Sequence, residues 1–126
     1  QRQMCIRDRA SEVDAYCDDP LCGFTASVGL YRELVRLSET SNSSTILRAL
    51  PPLLPVLLMS GDRDPVGGNG RGVRRLAGEL RANGVNQVDV HLVPEARHEL
   101  LHERDHEQTY RLLETWIGRT VEAHSA

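Results

Sequence analysis

One apolar run, ended abruptly by glycine and two acids, constrains this chain more than any other stretch: Pro55-Val-Leu-Leu-Met-Ser-Gly-Asp-Arg-Asp-Pro-Val-Gly67. Val56 to Met59 is continuously apolar rather than alternating, the pattern of a strand covered on both faces, as in a parallel sheet. A segment of buried helix is the competing reading of any short apolar run. The shortness of this one, with Pro55 before it and Gly61 after it, argues for the strand. Such a strand delivers Asp62 or Asp64 into the loop at its C-terminal end. In open α/β sheets those loops form the ligand crevice.

The segments around the run can be read in order. Ser11 to Cys17 has room for two helical turns with Ser11 as cap, and Asp19-Pro20 breaks them because a residue before proline is pushed out of the helical region. Thr25 or Ser27 can cap a second helix with Leu30, Leu34 and Leu37 on one face, widened by Val28, Tyr31 and Val35. The polar run from Ser38 to Thr45 reads as a surface loop, and Ile46 to Leu50 as one short turn. After a turn at Pro65 to Gly68, Asn69 can cap a helix whose Val73, Leu76, Ala77 and Leu80 follow three-four spacing, closed by Asn83-Gly84. Val88, Val90 and Leu92 alternate with Asp89 and His91, so a second strand with one drier face follows. Asp105 and Gln108 form a variant capping box for a last helix presenting Tyr110, Leu113, Trp116 and Ile117, with its end expected at Gly118 or a turn later. From Val56 onward the order is therefore β-α-β-α, with connections suited to right-handed parallel crossover.

At 126 residues the chain suffices for one domain with a core but not for two. A net charge of -3 offers no electrostatic case for nucleic acid or an anionic membrane. No apolar run approaches the roughly 20 residues of a membrane span, so stable membrane insertion is not expected. Cys5, Cys17 and Cys22 contain no CxxC pair and leave an odd one over, the pattern of buried or reduced thiols rather than a disulfide framework. The opening Gln1-Arg-Gln-Met-Cys-Ile-Arg-Asp-Arg9 fits no amphipathic template and looks like translated adapter read-through, so native sequence is expected from about Ala10.

The chemistry lies in an acid after one strand and a histidine after the next. A carboxylate that accepts the Nδ1 proton of a histidine fixes its tautomer, and the other ring nitrogen can then take a proton from a serine or cysteine. In α/β-hydrolases the chain order is nucleophile, acid, histidine. Here Asp64 and His98 stand in that order, 34 residues apart, with a strand between them. Each alone has an ordinary explanation: Asp64 before Pro65 as a turn residue, His98 as a surface histidine.

The Pro55–Gly67 stretch resembles the acid segment of serine α/β-hydrolases of the lysophospholipase and monoacylglycerol-lipase type. Val93-Pro-Glu-Ala-Arg-His-Glu99 is similar to their histidine loop, and Asp19-Pro-Leu-Cys-Gly-Phe24 resembles part of their cap region. The similarity runs from about Ala10 to Val121. It implies that the catalytic acid is Asp64, the general base His98, and Asp62 a structural neighbour. It also implies hydrolysis of a small, lipid-like acyl ester and no metal or organic cofactor; a cytoplasmic location is expected. Leu21, Phe24 and Leu30 are expected in the core, with an acyl pocket as the alternative. No Gly-x-Ser-x-Gly occurs anywhere in the chain, and Ser41, Ser43 and Ser44 follow no strand and do not replace it.

Two rival motifs are weaker. His98-Glu99-Leu-Leu-His102 is a literal HExxH, the zinc-protease pattern in which two histidines one helical turn apart bind metal. His106 is too far to join His98, since eight helical residues rise about 12 Å. Gln108 occupies the place of the third histidine in the extended motif, and Asp105 starts a helix after it. Gly67-Gly-Asn-Gly-Arg-Gly72 after the strand fits neither the dinucleotide fingerprint nor the P-loop spacing.

The expected architecture is α/β: residues 1–9 non-native, 10–50 a helical cap remnant, and 51–126 the C-terminal β-α-β-α part of a hydrolase core. The expected function is that of a serine hydrolase fragment holding only the acid and base. The alternative is a non-catalytic homologue. Without its nucleophile the chain is expected to be inactive, with an unpaired strand edge at Val56 and a tendency to aggregate.

Overall fold

The computed structural model describes residues 9–125. Residues 1–8 of the adapter-like segment 1–9, and with them the expectation for Cys5, lie outside the described residues. The elements run α1 (Ala10–Asp18), α2 (Val28–Ser41), α3 (Ser44–Ala49), β1 (Val56–Gly61), α4 (Arg71–Ala82), β2 (Val88–Val93) and α5 (His106–Ser125), with a 3-10 turn at Leu100–His102 before α5. No described helix is long and apolar enough to cross a membrane.

β1 and β2 pair in parallel, from Val56 opposite Val88 to Gly61 opposite Val93, with α4 as the crossover. Successive side chains of a strand point to opposite faces, which gives this pair two sides. Val56, Leu58, Val88 and Val90 pack with Leu47, Leu76, Ala77, Leu80 and Val85 to make the core under α4. Leu57, Asp89 and His91 lie on the other face, where they line a hollow of about 500 Å³ with Arg111, Leu112, Thr115 and Trp116 of α5. The Trp116 indole N–H donates to Asp89 Oδ2 at 2.7 Å across that hollow. Asp89 and His91 are therefore on the α5 side, and the drier face expected for β2 is the one toward α4.

Local chemistry explains where the elements begin and end. Ser27, not Thr25, caps α2, its Oγ accepting the Leu30 N–H at 3.2 Å. At α1 the expected cap is displaced: Arg9 holds that position without a side-chain bond, and Ser11 is already inside the helix. The polar run does not form the expected loop. α2 continues through Ser41, Asn42 closes it by returning both its main-chain and side-chain N–H to Ser38 O, and Ser43 caps α3 through the Ile46 N–H at 3.4 Å. Short polar side chains bond their own backbone at helix ends, so a run of them marks a tight helix junction as readily as a loop.

α4 also departs from expectation. Gly70, left-handed at φ 80°, holds the cap position in place of Asn69, which itself has φ 57°. α5 passes Gly118 and continues to Ser125. A mid-helix glycine costs only about 1 kcal/mol against alanine, too little to end a 20-residue helix. The apolar residues of α2 and of the loop before it are not core: Leu21, Phe24 and Leu30 are exposed, as are Val28, Tyr31, Leu34, Val35 and Leu37. Cys17 is exposed and Cys22 half-buried, so of the buried or reduced thiols expected neither is of the buried kind.

Candidate active site

β1 ends at Gly61, and the turns that follow, up to Gly70, carry Asp64. Asp64 is buried at 4% exposure, and a carboxylate so placed needs compensating donors. Its Oδ1 accepts the Val66 N–H at 2.8 Å, and its Oδ2 lies 3.1 Å from His98 Nδ1. Ser60 Oγ stands 3.5 Å from the same Oδ2. The Asp64 carbonyl accepts the Asn69 N–H at 2.7 Å, which closes the turn.

The balance of these effects leaves the Asp64 carboxyl below the ordinary carboxylate range. Burial pushes it up, but the hydrogen bond from His98, the amide of Val66, the imidazolium charge and the Gly67 amide together outweigh burial. An ionised carboxylate has no proton to give, so the shared proton sits on His98 Nδ1. That fixes the neutral ring as the Nδ1–H tautomer and leaves Nε2 with a lone pair. The His98 side chain is 46% exposed, so a reacting group can reach it.

A stability dependence follows from the depressed value. In acid the unfolded chain takes up the Asp64 proton near the ordinary value of 3.8, before the folded chain does. Asp64 therefore contributes stability in full above that value, and the contribution is lost as pH falls through the lower folded value. Urea midpoints measured between pH 5 and 2 are expected to fall faster in the unmodified chain than in Asp64→Asn. Parallel curves would contradict the assignment.

The two acids of the turn have different partners. Asp62 Oδ1 accepts the Glu95 N–H at 2.7 Å, whereas Asp64 meets His98. Sequence reasoning placed Asp62 beside the site without a task. Glu103 it did not single out at all: this carboxylate is buried at 4% exposure and accepts the Arg97 N–H at 2.9 Å. Nothing in its local sequence distinguishes it from a solvated surface acid.

The HExxH segment is not a continuous α-helix. Glu99 has φ -101° and ψ 73°, outside the helical region, and only Leu100–His102 forms a single 3-10 turn. His98 Nδ1 faces Asp64, whereas His102 Nδ1 lies 3.7 Å from Glu12 Oε2 on α1. The two histidines thus lack the shared helical face that the zinc motif requires. Among the described residues no group of three or more His, Cys, Asp or Glu side chains is placed to hold a metal.

A parallel β-α-β-α unit with an acid after the first strand and a histidine after the second belongs to the α/β-hydrolase class of folds. The family model for serine aminopeptidases of the S33 type matches residues 1–105, and the chain belongs to that family. Two solved structures are similar. A highly thermostable carboxyl esterase from Bacillus coagulans, crystallised with glycerol, superposes with a TM-score of 0.72 at 24% identity over 94% of this chain and 37% of its own. A lipase in an open form superposes with a TM-score of 0.76 at 27% identity over 89% of this chain and 36% of its own. The chain thus spans little more than a third of either neighbour. A search of curated protein sequences finds no significant match.

Proposed function

We propose that this chain supplies the acid and base of a serine hydrolase acting on carboxylic esters, such as monoacylglycerols or lysophospholipids. One observation carries the reading: the buried Asp64 carboxyl lies 3.1 Å from His98 Nδ1, on a ring whose side chain stays 46% exposed. Membership of the hydrolase family and the ester-cleaving neighbours support it. In this mechanism His98 Nε2 takes the proton of an attacking serine hydroxyl, which adds to the ester carbonyl. Asp64 stabilises the imidazolium so formed. The same proton then passes to the departing alcohol, leaving an acyl-serine, and His98 activates water to release the acid.

The serine belongs to a Gly-x-Ser-x-Gly turn that these 126 residues do not contain. The purified chain is accordingly expected to hydrolyse p-nitrophenyl esters no faster than buffer. Turnover that disappears with His98→Ala would contradict this, because it would require a nucleophile within the chain. The function itself is tested in a chain that carries the serine. There, Asp64→Asn and His98→Ala are each expected to abolish most ester turnover, and unchanged turnover would sink the proposal.

A further inference from the structure

We propose that Asp62 and Glu103 are positioning residues, two carboxylates that each receive a main-chain N–H of the histidine loop and so set where His98 stands against Asp64. The inference rests on the reading of Asp64 and His98 as an acid-base pair and extends it to the groups that aim the base.

The loop leaves β2 at Val93 and must place His98 five residues on. Glu95 adopts φ 59° on the way, a left-handed conformation that a residue with a Cβ rarely holds without help. The help comes from Asp62, whose Oδ1 accepts the Glu95 N–H at 2.7 Å across 33 residues of sequence. Arg63 reinforces the same point, its Nη2 meeting the Glu95 carboxylate at 2.8 Å. Main-chain bonds continue the strand pairing past its end: the Asp62 N–H donates to Val93 O at 3.1 Å and the Arg63 N–H to Ala96 O at 3.0 Å.

From the other side the loop is held by Glu103. Its carboxylate is buried, and Oε1 accepts the N–H of Arg97, the residue immediately before His98, at 2.9 Å. Its carbonyl oxygen lies 2.8 Å from His106 Nδ1 at the start of α5, so the clip is tied to the last helix. A buried carboxylate is costly unless its charge is used. One use of it here is to hold the Arg97 amide. The two clips thus fix residues 95 and 97 from β1 and from the start of α5. Their carboxylates act on the loop main chain, and their effect reaches the imidazole through it.

The test reads the His98 ring rather than overall stability. NMR of the 126-residue chain labelled with 15N-histidine, at a pH where the ring is neutral, is expected to show the Nδ1–H tautomer dominant. Asp62→Ala and Glu103→Ala are each expected to shift the tautomer ratio toward Nε2–H by about 3- to 10-fold, the scale of one lost hydrogen bond. Asp62→Asn and Glu103→Gln keep a carbonyl oxygen as acceptor and are expected to restore the unmodified ratio. A ratio unchanged by both alanine substitutions overturns the proposal.

Asp64→Asn distinguishes the two levels of the reading. If it changes the His98 signature while the alanine variants do not, only the clips are wrong. If it changes nothing, the pair is wrong and the clips fall with it. Should the alanine variants not fold, amide hydrogen exchange in the unmodified chain decides. The Glu95 and Arg97 amides are expected to be protected at least 10-fold relative to open loop amides, and exchange at the open-loop rate overturns the proposal.

Discussion

In a chain that carries the serine, Asp64→Asn is expected to lower ester turnover by about 10⁴-fold, the scale found when the acid of a Ser-His-Asp triad becomes an amide. Asparagine fills nearly the same space, so the fold is expected to stay intact. What changes is charge and donor pattern. The amide group can present N–H to His98 Nδ1, which then accepts instead of donating, and the ring is held as the wrong tautomer with its proton on Nε2. Even when the amide oxygen faces the ring, the imidazolium formed during attack lacks the negative charge that the proposed mechanism places 3.1 Å away. The loss is therefore expected in kcat rather than KM, because the lost interaction belongs to the transition state. His98→Ala should cost a similar amount, and the double variant little more than either single one, since the two residues act as a unit. Steady-state kinetics on a p-nitrophenyl ester measure all three. Additive losses would mean that Asp64 and His98 do not work through one another.

The parts of this arrangement that were legible in the sequence are those written in local pattern. β1 announced itself as a continuous apolar run, α4 by its three-four spacing, and β2 by alternation. Asp64 and His98 were legible as a pair because acid, strand and histidine follow one another in a familiar order, and 3.1 Å now separates them. The groups that hold the loop were not legible. Asp62 reaches Glu95 across 33 residues, and no local rule forecasts a bond between a turn aspartate and a distant amide. Glu103 is a charged residue in a charged neighbourhood, and its burial depends on how the loop folds back over it. The α2 segment misled in the opposite sense. Its leucines and valines have helical spacing, but spacing says only that a face is apolar, not that a described neighbour covers it. The Ser38–Thr45 run misled because its serines and asparagine bond the backbone at helix ends as well as in loops.

Gly61→Ala is expected to destabilise the 126-residue chain by about 3 kcal/mol or more, read as a shift of the urea midpoint. The cause is contact rather than conformational freedom, because Gly61 is not among the residues with positive φ. A Cβ at this position would stand 2.1 Å from Ala96 O and 2.3 Å from Arg97 O. Both are main-chain atoms of the histidine loop, so no rotamer change can relieve the clash. Either β1 shifts against β2, breaking the Asp62 N–H to Val93 O and Arg63 N–H to Ala96 O bonds, or the loop moves outward. The second course is the cheaper one, since the loop is exposed at Pro94, Glu95 and His98, whereas the β1–β2 pairing closes on the core. Outward movement carries His98 away from Asp64 and leaves a buried carboxylate without one of the donors that now offset its burial. A variant that folds despite the substitution should thus show the His98 tautomer shift of Asp64→Asn although neither member of the pair was changed. Gly61→Ala with an unaltered urea midpoint and an unaltered His98 ring would contradict the close approach of the loop to β1. The glycine that ends the strand would then be a turn residue and nothing more.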